Sequence, residues 1–204
     1  MTEPAYTRLN VDERRRQVLV AAGRLFTENA FEEITMREIA EVAGISKALL
    51  YHYFPSKTEL FKAAAAQYAG ELQSLIAPDG EGTPIEQLNR SLHAYLGWIE
   101  ANSRAWAKLM QSAATLPEAG EFLEAFRTET LSQILEHLTE GGSPPPLLRN
   151  ALNGWLGYVD GTLLDWTQHH DLSRAQVHGL IVTAFGAAVF AVQQADPALG
   201  LDRV

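Results

Sequence analysis

The chain has 204 residues, no cysteine and a formal charge of −9. Without cysteine it can hold no disulfide framework, no zinc–thiolate site and no cysteine nucleophile. The length suits one or two domains with a sizeable core. Net acidity at first argues against nucleic acid, because phosphate binding wants a basic surface. The charge is uneven, however. Residues 1–60 carry 8 Lys/Arg against 9 Asp/Glu, whereas residues 61–204 carry 8 against 16. In the first part the cations cluster at Arg14, Arg15 and Arg16, and again at Arg37, Lys47 and Lys57. A near-neutral domain can still present a basic face.

The apolar run that stands out, Gly179 to Val192, falls short of the roughly 18 to 20 residues that span a bilayer. The first residues lack a basic start followed by an apolar segment, so no secretory signal is expected. These features predict a soluble, cytoplasmic protein with no membrane partner.

Helical patterns recur along the chain and strand patterns do not, so the predicted class is all-α. Between Val11 and Ala30, Val18, Leu19, Ala22, Leu25 and Phe26 fall on one helix face. Capping boxes are expected at Thr35/Glu38, Ser56/Glu59, Thr83/Glu86 and Ser173/Gln176. Pro84 sits at a first helical position, and Ser143-Pro144 reads as another start. Breaks fall at Gly44, at residues 78–83, near Pro117 and at residues 141–146. About nine helices follow, near 11–29, 35–42, 46–53, 56–76, 84–101, 103–114, 118–139, 144–169 and 173–195. The predicted domains are residues 1–60 and 61–204.

The most informative stretch is 35–54. Thr35 caps a short helix whose inner face holds Ile39, Ala40 and Ala43. Gly44 stands where the chain must turn sharply, with a positive φ. Ile45 plugs the corner and Ser46 caps a second helix. Leu50 and Phe54, four apart, face inward. Lys47, Ala48, Tyr51 and His52 are left outside. Two short helices joined by a glycine turn form a helix-turn-helix, whose second helix normally enters the DNA major groove.

This segment resembles the helix-turn-helix of the tetracycline-repressor (TetR) family. Thr35, Ile39-Ala40, Ala43-Gly44-Ile45-Ser46, Tyr51, His52-Tyr53-Phe54 and Ser56-Lys57 match that pattern in order and spacing. Ala21-Ala22, Leu25-Phe26 and Phe31 match the family's first helix and the bend after it. The resemblance implies phosphate contacts at Thr35 and Lys57 and backbone contacts from Tyr51 and from His52 or Tyr53. It also places Ser46, Lys47 and Ala48 near bases, with Lys47 suited to guanine O6/N7. Arg37 and Leu49 complete the expected DNA-facing set. Ala48 stands where the family usually has glycine, and Leu49 where it often has a small polar residue.

All four tryptophans lie after residue 80. Trp155, Tyr158, Thr162 and Trp166 recur at helical spacing. With His93, Trp98, Trp106, Met110 and Phe122 they are candidates to line an aromatic small-molecule pocket between helices. A packed core is the simpler reading of any one of them. Gly179 to Val192 has no Asp, Glu, Lys or Arg on any face. Such a helix must be covered on all sides, which calls for a partner subunit. Ala184, Ala187, Ala188 and Ala191 allow close approach, and Gly154, Gly157 and Gly161 make a second small-residue stripe. The resemblance implies a homodimer built on a four-helix bundle, a palindromic operator in double-stranded DNA, and an effector in the C-terminal domain that weakens DNA binding.

No metal, no cofactor and no enzymatic activity are expected. His169-His170 are adjacent and diverge on a helix, and no His-x-x-x-His, phosphate loop or nucleophile elbow occurs. The alternative function is a helical carrier of small molecules or lipids on the same scaffold, without DNA binding.

Overall fold

The computed structural model describes residues 11–77, 82–139 and 141–199. Among them the chain is all-α. Its helices are α1 (Val11–Glu28), α2 (Met36–Val42), α3 (Lys47–Tyr53), α4 (Lys57–Ile76), α5 (Pro84–Ala101), α6 (Ser103–Ser112), α7 (Pro117–Leu138), α8 (Pro146–His169) and α9 (Arg174–Ala195). A short 3-10 turn follows at Pro197–Leu199. The chain divides into two compact units, residues 1–68 and 69–204.

Local chemistry sets the helix starts. Thr35, Thr83 and Ser173 each form a full capping box with Glu38, Glu86 and Gln176. At Ser56 the hydroxyl oxygen accepts the Glu59 N–H at 3.1 Å. The expected start at Ser143-Pro144 is not used. α8 begins at Pro146, after Pro145 in an extended conformation. A proline pushes the residue before it out of the helical region, so only the last of the three consecutive prolines can open the helix.

In the first unit α1, α2, α3 and the start of α4 share one core. Val18, Ala22, Ile39, Leu50, Phe54 and Leu60 are buried in it. At Gly23 a Cβ would stand 2.7 Å from the Tyr68 ring, so glycine permits this close approach of α1 and α4.

The second unit is built around α8 and α9. Trp155 against Phe185, and the Trp155 indole N–H donating to the Ile181 carbonyl at 3.0 Å, pair the middles of the two helices. The Trp166 indole N–H donates to the Leu172 carbonyl at 2.8 Å, near the turn between them. These pairings set α8 and α9 antiparallel. α5, α6 and α7 complete the core with Leu96, Ile99, Trp106 and Leu135.

α9 differs from the expectation of a run too short to span a bilayer. From Ala175 to Ala195 it carries no Asp, Glu, Lys or Arg. As a 22-residue helix with a window of mean hydropathy 1.8 it is long and apolar enough to cross a membrane by length and composition. The polar uncharged residues inside it had hidden that length.

Candidate nucleic-acid interface

The helix-turn-helix is assembled by hydrogen bonds that each depend on a particular residue. α2 is capped by Ala43, and Gly44 takes φ +66°. The Gly44 N–H donates to the Glu41 carbonyl at 3.1 Å and the Ile45 N–H to the Ala40 carbonyl at 3.0 Å. This is the paired C-terminal closure that a left-handed glycine allows. The Leu49 N–H then donates to the Ser46 hydroxyl oxygen at 3.2 Å and starts α3. Leu50 and Phe54 are buried beneath the helix.

The opposite face of α3 is open. Lys47, Ala48, Tyr51 and His52 are exposed, and Leu49 and Tyr53 are half-buried. The Lys47 ammonium lies 5.7 Å from the centre of the Tyr51 ring, one turn on. The His52 and Tyr53 rings meet edge to face at 5.7 Å. Tyr53 also packs on the core of the unit. This surface offers one ammonium, one phenol, one imidazole and one methyl, a set able to meet both phosphates and base edges.

Three expected contacts sit differently. Thr35 caps α2, but its N–H and hydroxyl both donate to the Glu38 carboxylate, at 2.7 and 2.8 Å. Those bonds, aided by the Lys57 charge, hold the Glu38 carboxyl below the usual carboxylate range. The start of α2 therefore carries its own anion, which opposes a phosphate there. Arg37 is exposed but pairs with Glu41 at 2.9 Å, one turn along the same helix. Lys57 turns inward. Its Nζ donates to the carbonyls of Phe31 at 2.6 Å and Ile34 at 2.8 Å, on the link before α2.

One cation near α3 escaped sequence reasoning. The Arg15 guanidinium of α1 lies 5.1 Å over the Phe54 ring, and Arg15 is exposed. The run Arg14 to Arg16 was the available signal, but nothing in it says which arginine meets α3.

The aromatic candidates of the second unit differ in burial. Trp155, Trp166 and Trp106 are core residues. The indole N–H groups of Trp155 and Trp166 are spent on backbone carbonyls of the turn and of α9. Trp106 hydrogen-bonds the Tyr95 hydroxyl, whose pKa burial pushes up to about 12. Trp98 and Met110 pack against the same core, and Phe122 and Thr162 are half-buried. His93 and Tyr158 are exposed. Spacing of 3 and 4 fixes a helix face but not its breadth. Tyr158 lies at the edge of that face, where α8 turns outward.

Ion pairs link helices of this unit. Arg127 of α7 pairs with Asp160 of α8. Arg174 of α9 lies 3.7 Å from Glu100 of α5. Among the described residues no group of three His, Asp or Glu could hold a metal ion.

α8 and α9 also present an uncovered face. Gly154, Gly157 and Gly161 of α8 and Ala187 and Ala191 of α9 are exposed. A Cβ placed on any of the three glycines would meet nothing within 4 Å. Leu180 and Phe190 add large apolar side chains, and Phe190 is 64% exposed. Ala184 and Ala188 instead pack partly on the chain's own core. They lie on the flank of α9, so of the expected alanine stripe only Ala187 and Ala191 look out.

The chain matches two family models in sequence. Residues 18–64 match "Bacterial regulatory proteins, tetR family". Residues 84–188, more than half of the chain, match "Tetracyclin repressor-like, C-terminal domain". The protein belongs to the TetR family of transcriptional regulators. Its relatives include the HTH-type transcriptional activator FasR of Mycolicibacterium smegmatis, 33% identical over 52% of this chain and 49% of that one. The nucleoid occlusion factor SlmA of Haemophilus influenzae is 40% identical over 57% of this chain and 55% of its own. The chain thus spans about half the length of the curated relatives it matches. A TetR-family regulator from Streptomyces coelicolor superposes with a TM-score of 0.82 at 27% identity, covering 94% of this chain and 87% of that one.

Proposed function

We propose that this chain is a homodimeric, sequence-specific DNA-binding regulator of transcription that acts in the cytoplasm. The observation that carries the reading is the outer face of α3. A helix of seven residues buries Leu50 and its cap Phe54, and keeps Lys47, Ala48, Tyr51 and His52 free of the core. That face holds a lysine and two polar aromatics together, side chains suited to phosphates and base edges. Its short length suits insertion of the N-terminal half into a major groove.

The uncovered small-residue face of α8 and α9 supports the dimer. Glycines with open space beside them let two backbones approach, and Phe190 and Leu180 supply apolar area to bury. The same face accounts for the uncharged length of α9, since a second copy would cover what the chain leaves bare. A two-fold dimer reads a palindromic operator through two copies of α3.

The second unit, residues 69–204, is read as the effector-binding and dimerisation domain. A small-molecule effector bound there favours a conformation in which the two α3 helices no longer fit successive grooves, and the protein leaves its operator. α4, whose residues belong to both units, carries the change. This makes the protein a ligand-released repressor.

Selection of random duplex DNA by the purified protein tests the reading. Enrichment of a palindrome at moderate salt is the expected result. Recovery of unenriched sequences, with and without cell extract added as a source of effector, would overturn it.

A further inference from the structure

Lys57 opens α4, and sequence pattern alone would turn it toward phosphate. The structure gives its ammonium other partners. Nζ lies 2.6, 3.5 and 2.8 Å from the carbonyl oxygens of Phe31, Glu32 and Ile34. It also lies 4.4 Å from the centre of the Phe31 ring. That ring is itself held edge to face by Phe61 of α4 at 5.5 Å and stacked on Phe26 of α1 at 5.9 Å. An ammonium has three donors, and here each has a carbonyl to meet.

The carbonyls belong to the non-helical link between α1 and α2, whose oxygens have no helix ladder to join. That link holds a turn in which the Glu33 N–H donates to the Ala30 carbonyl at 3.1 Å. It ends at Ile34, which is buried, and the next residue is Thr35, the cap of α2. Whatever fixes the carbonyl of Ile34 fixes where α2 begins.

We propose that Lys57 is a positioning residue: its ammonium clamps the 31–34 link and so sets the start of the helix-turn-helix, rather than neutralising a DNA phosphate. The proposal rests on the DNA-binding reading for its functional consequence but not for the clamp itself. Turning Lys57 toward DNA would leave the oxygens of Phe31 and Ile34 without their cationic donor.

The test uses the full-length protein with Lys57→Met, Lys57→Arg and Phe31→Leu. Two readouts are taken where circular dichroism shows each variant folded. One is hydrogen exchange of the Glu33 and Thr35 amides. The other is the slope of log affinity against log salt on a selected duplex. The clamp predicts faster exchange in all three variants, weaker DNA binding and a wild-type slope. Lys57→Arg should fail like Lys57→Met, because a planar guanidinium cannot replace an ammonium among three carbonyls. A phosphate contact predicts the reverse. Lys57→Met would lower the slope by about 0.9 per subunit, Lys57→Arg would bind like wild type, and exchange would not change. That result overturns the proposal. So does wild-type affinity in every folded variant, which would confine Lys57 to stability. If the wild-type protein binds no duplex, the DNA-binding reading fails on its own, and unchanged exchange in Lys57→Arg and Phe31→Leu would still overturn the clamp.

Discussion

The two units solve the burial problem in different ways. The first closes its core within itself and leaves a polar, cationic face outside, on α3. The second closes a core around Trp155 and Trp166 and leaves an apolar face of glycine, alanine, Leu180 and Phe190 outside, on α8 and α9. An exposed polar helix face carries little cost in water. An exposed apolar face invites cover. The first unit thus leaves a polar face that water can cover, whereas the second leaves an apolar face that the proposed second copy would cover.

Substitutions can break that contrast. The largest effect is expected at Phe190→Glu. A charge on the uncovered face should convert the dimer to a monomer in light scattering. Binding to a palindromic site should fall by about 100-fold or more, because the second half-site loses its tether. Core truncation should act alike in both units. Leu50→Ala and Leu163→Ala remove fully buried side chains, and each should destabilise its unit by about 2–5 kcal/mol in denaturant titration. Only Leu50→Ala should also weaken DNA binding in the still-folded protein.

Backbone changes come next. Gly44→Ala forces a side chain onto φ +66° and should cost roughly 1–2 kcal/mol of unfolding free energy. The smallest effects concern caps. Thr35→Ala and Thr83→Ala should each cost about 1 kcal/mol, seen as a lower thermal midpoint. Acid sharpens the same point. Hydrogen bonds from Thr35 and Thr83 hold the Glu38 and Glu86 carboxyls below their ordinary value of 4.5. A depressed carboxyl contributes stability above the unfolded pKa and loses it as pH falls through the folded one. Stability should therefore fall below about pH 4.5, and Glu38→Gln with Glu86→Gln should flatten that acid limb.

Much of this was legible in the sequence, for physical reasons. Among the described residues, the starts of α2, α3, α5 and α9 followed from capping residues, because those act within one turn of chain. The α2–turn–α3 unit was legible because Gly44, Ser46 and Leu50 have roles that tolerate few substitutes. What escaped depends on distant partners. Lys57 meets carbonyls 23 to 26 residues away, and a lysine at a helix start can point either way. Trp155 and Trp166 share a helical face with Tyr158, yet only α9 shows how far burial extends around α8. The uncharged length of α9 was masked by its histidine, threonine and glutamines.

The most direct measurement is binding of the selected palindrome and of an isolated half-site, with stoichiometry read by analytical ultracentrifugation. Two chains per palindrome, with much weaker binding to the half-site, are expected if the uncovered face of α8 and α9 supplies the two-fold that α3 needs. One chain per half-site, bound as tightly alone as within the palindrome, would contradict it.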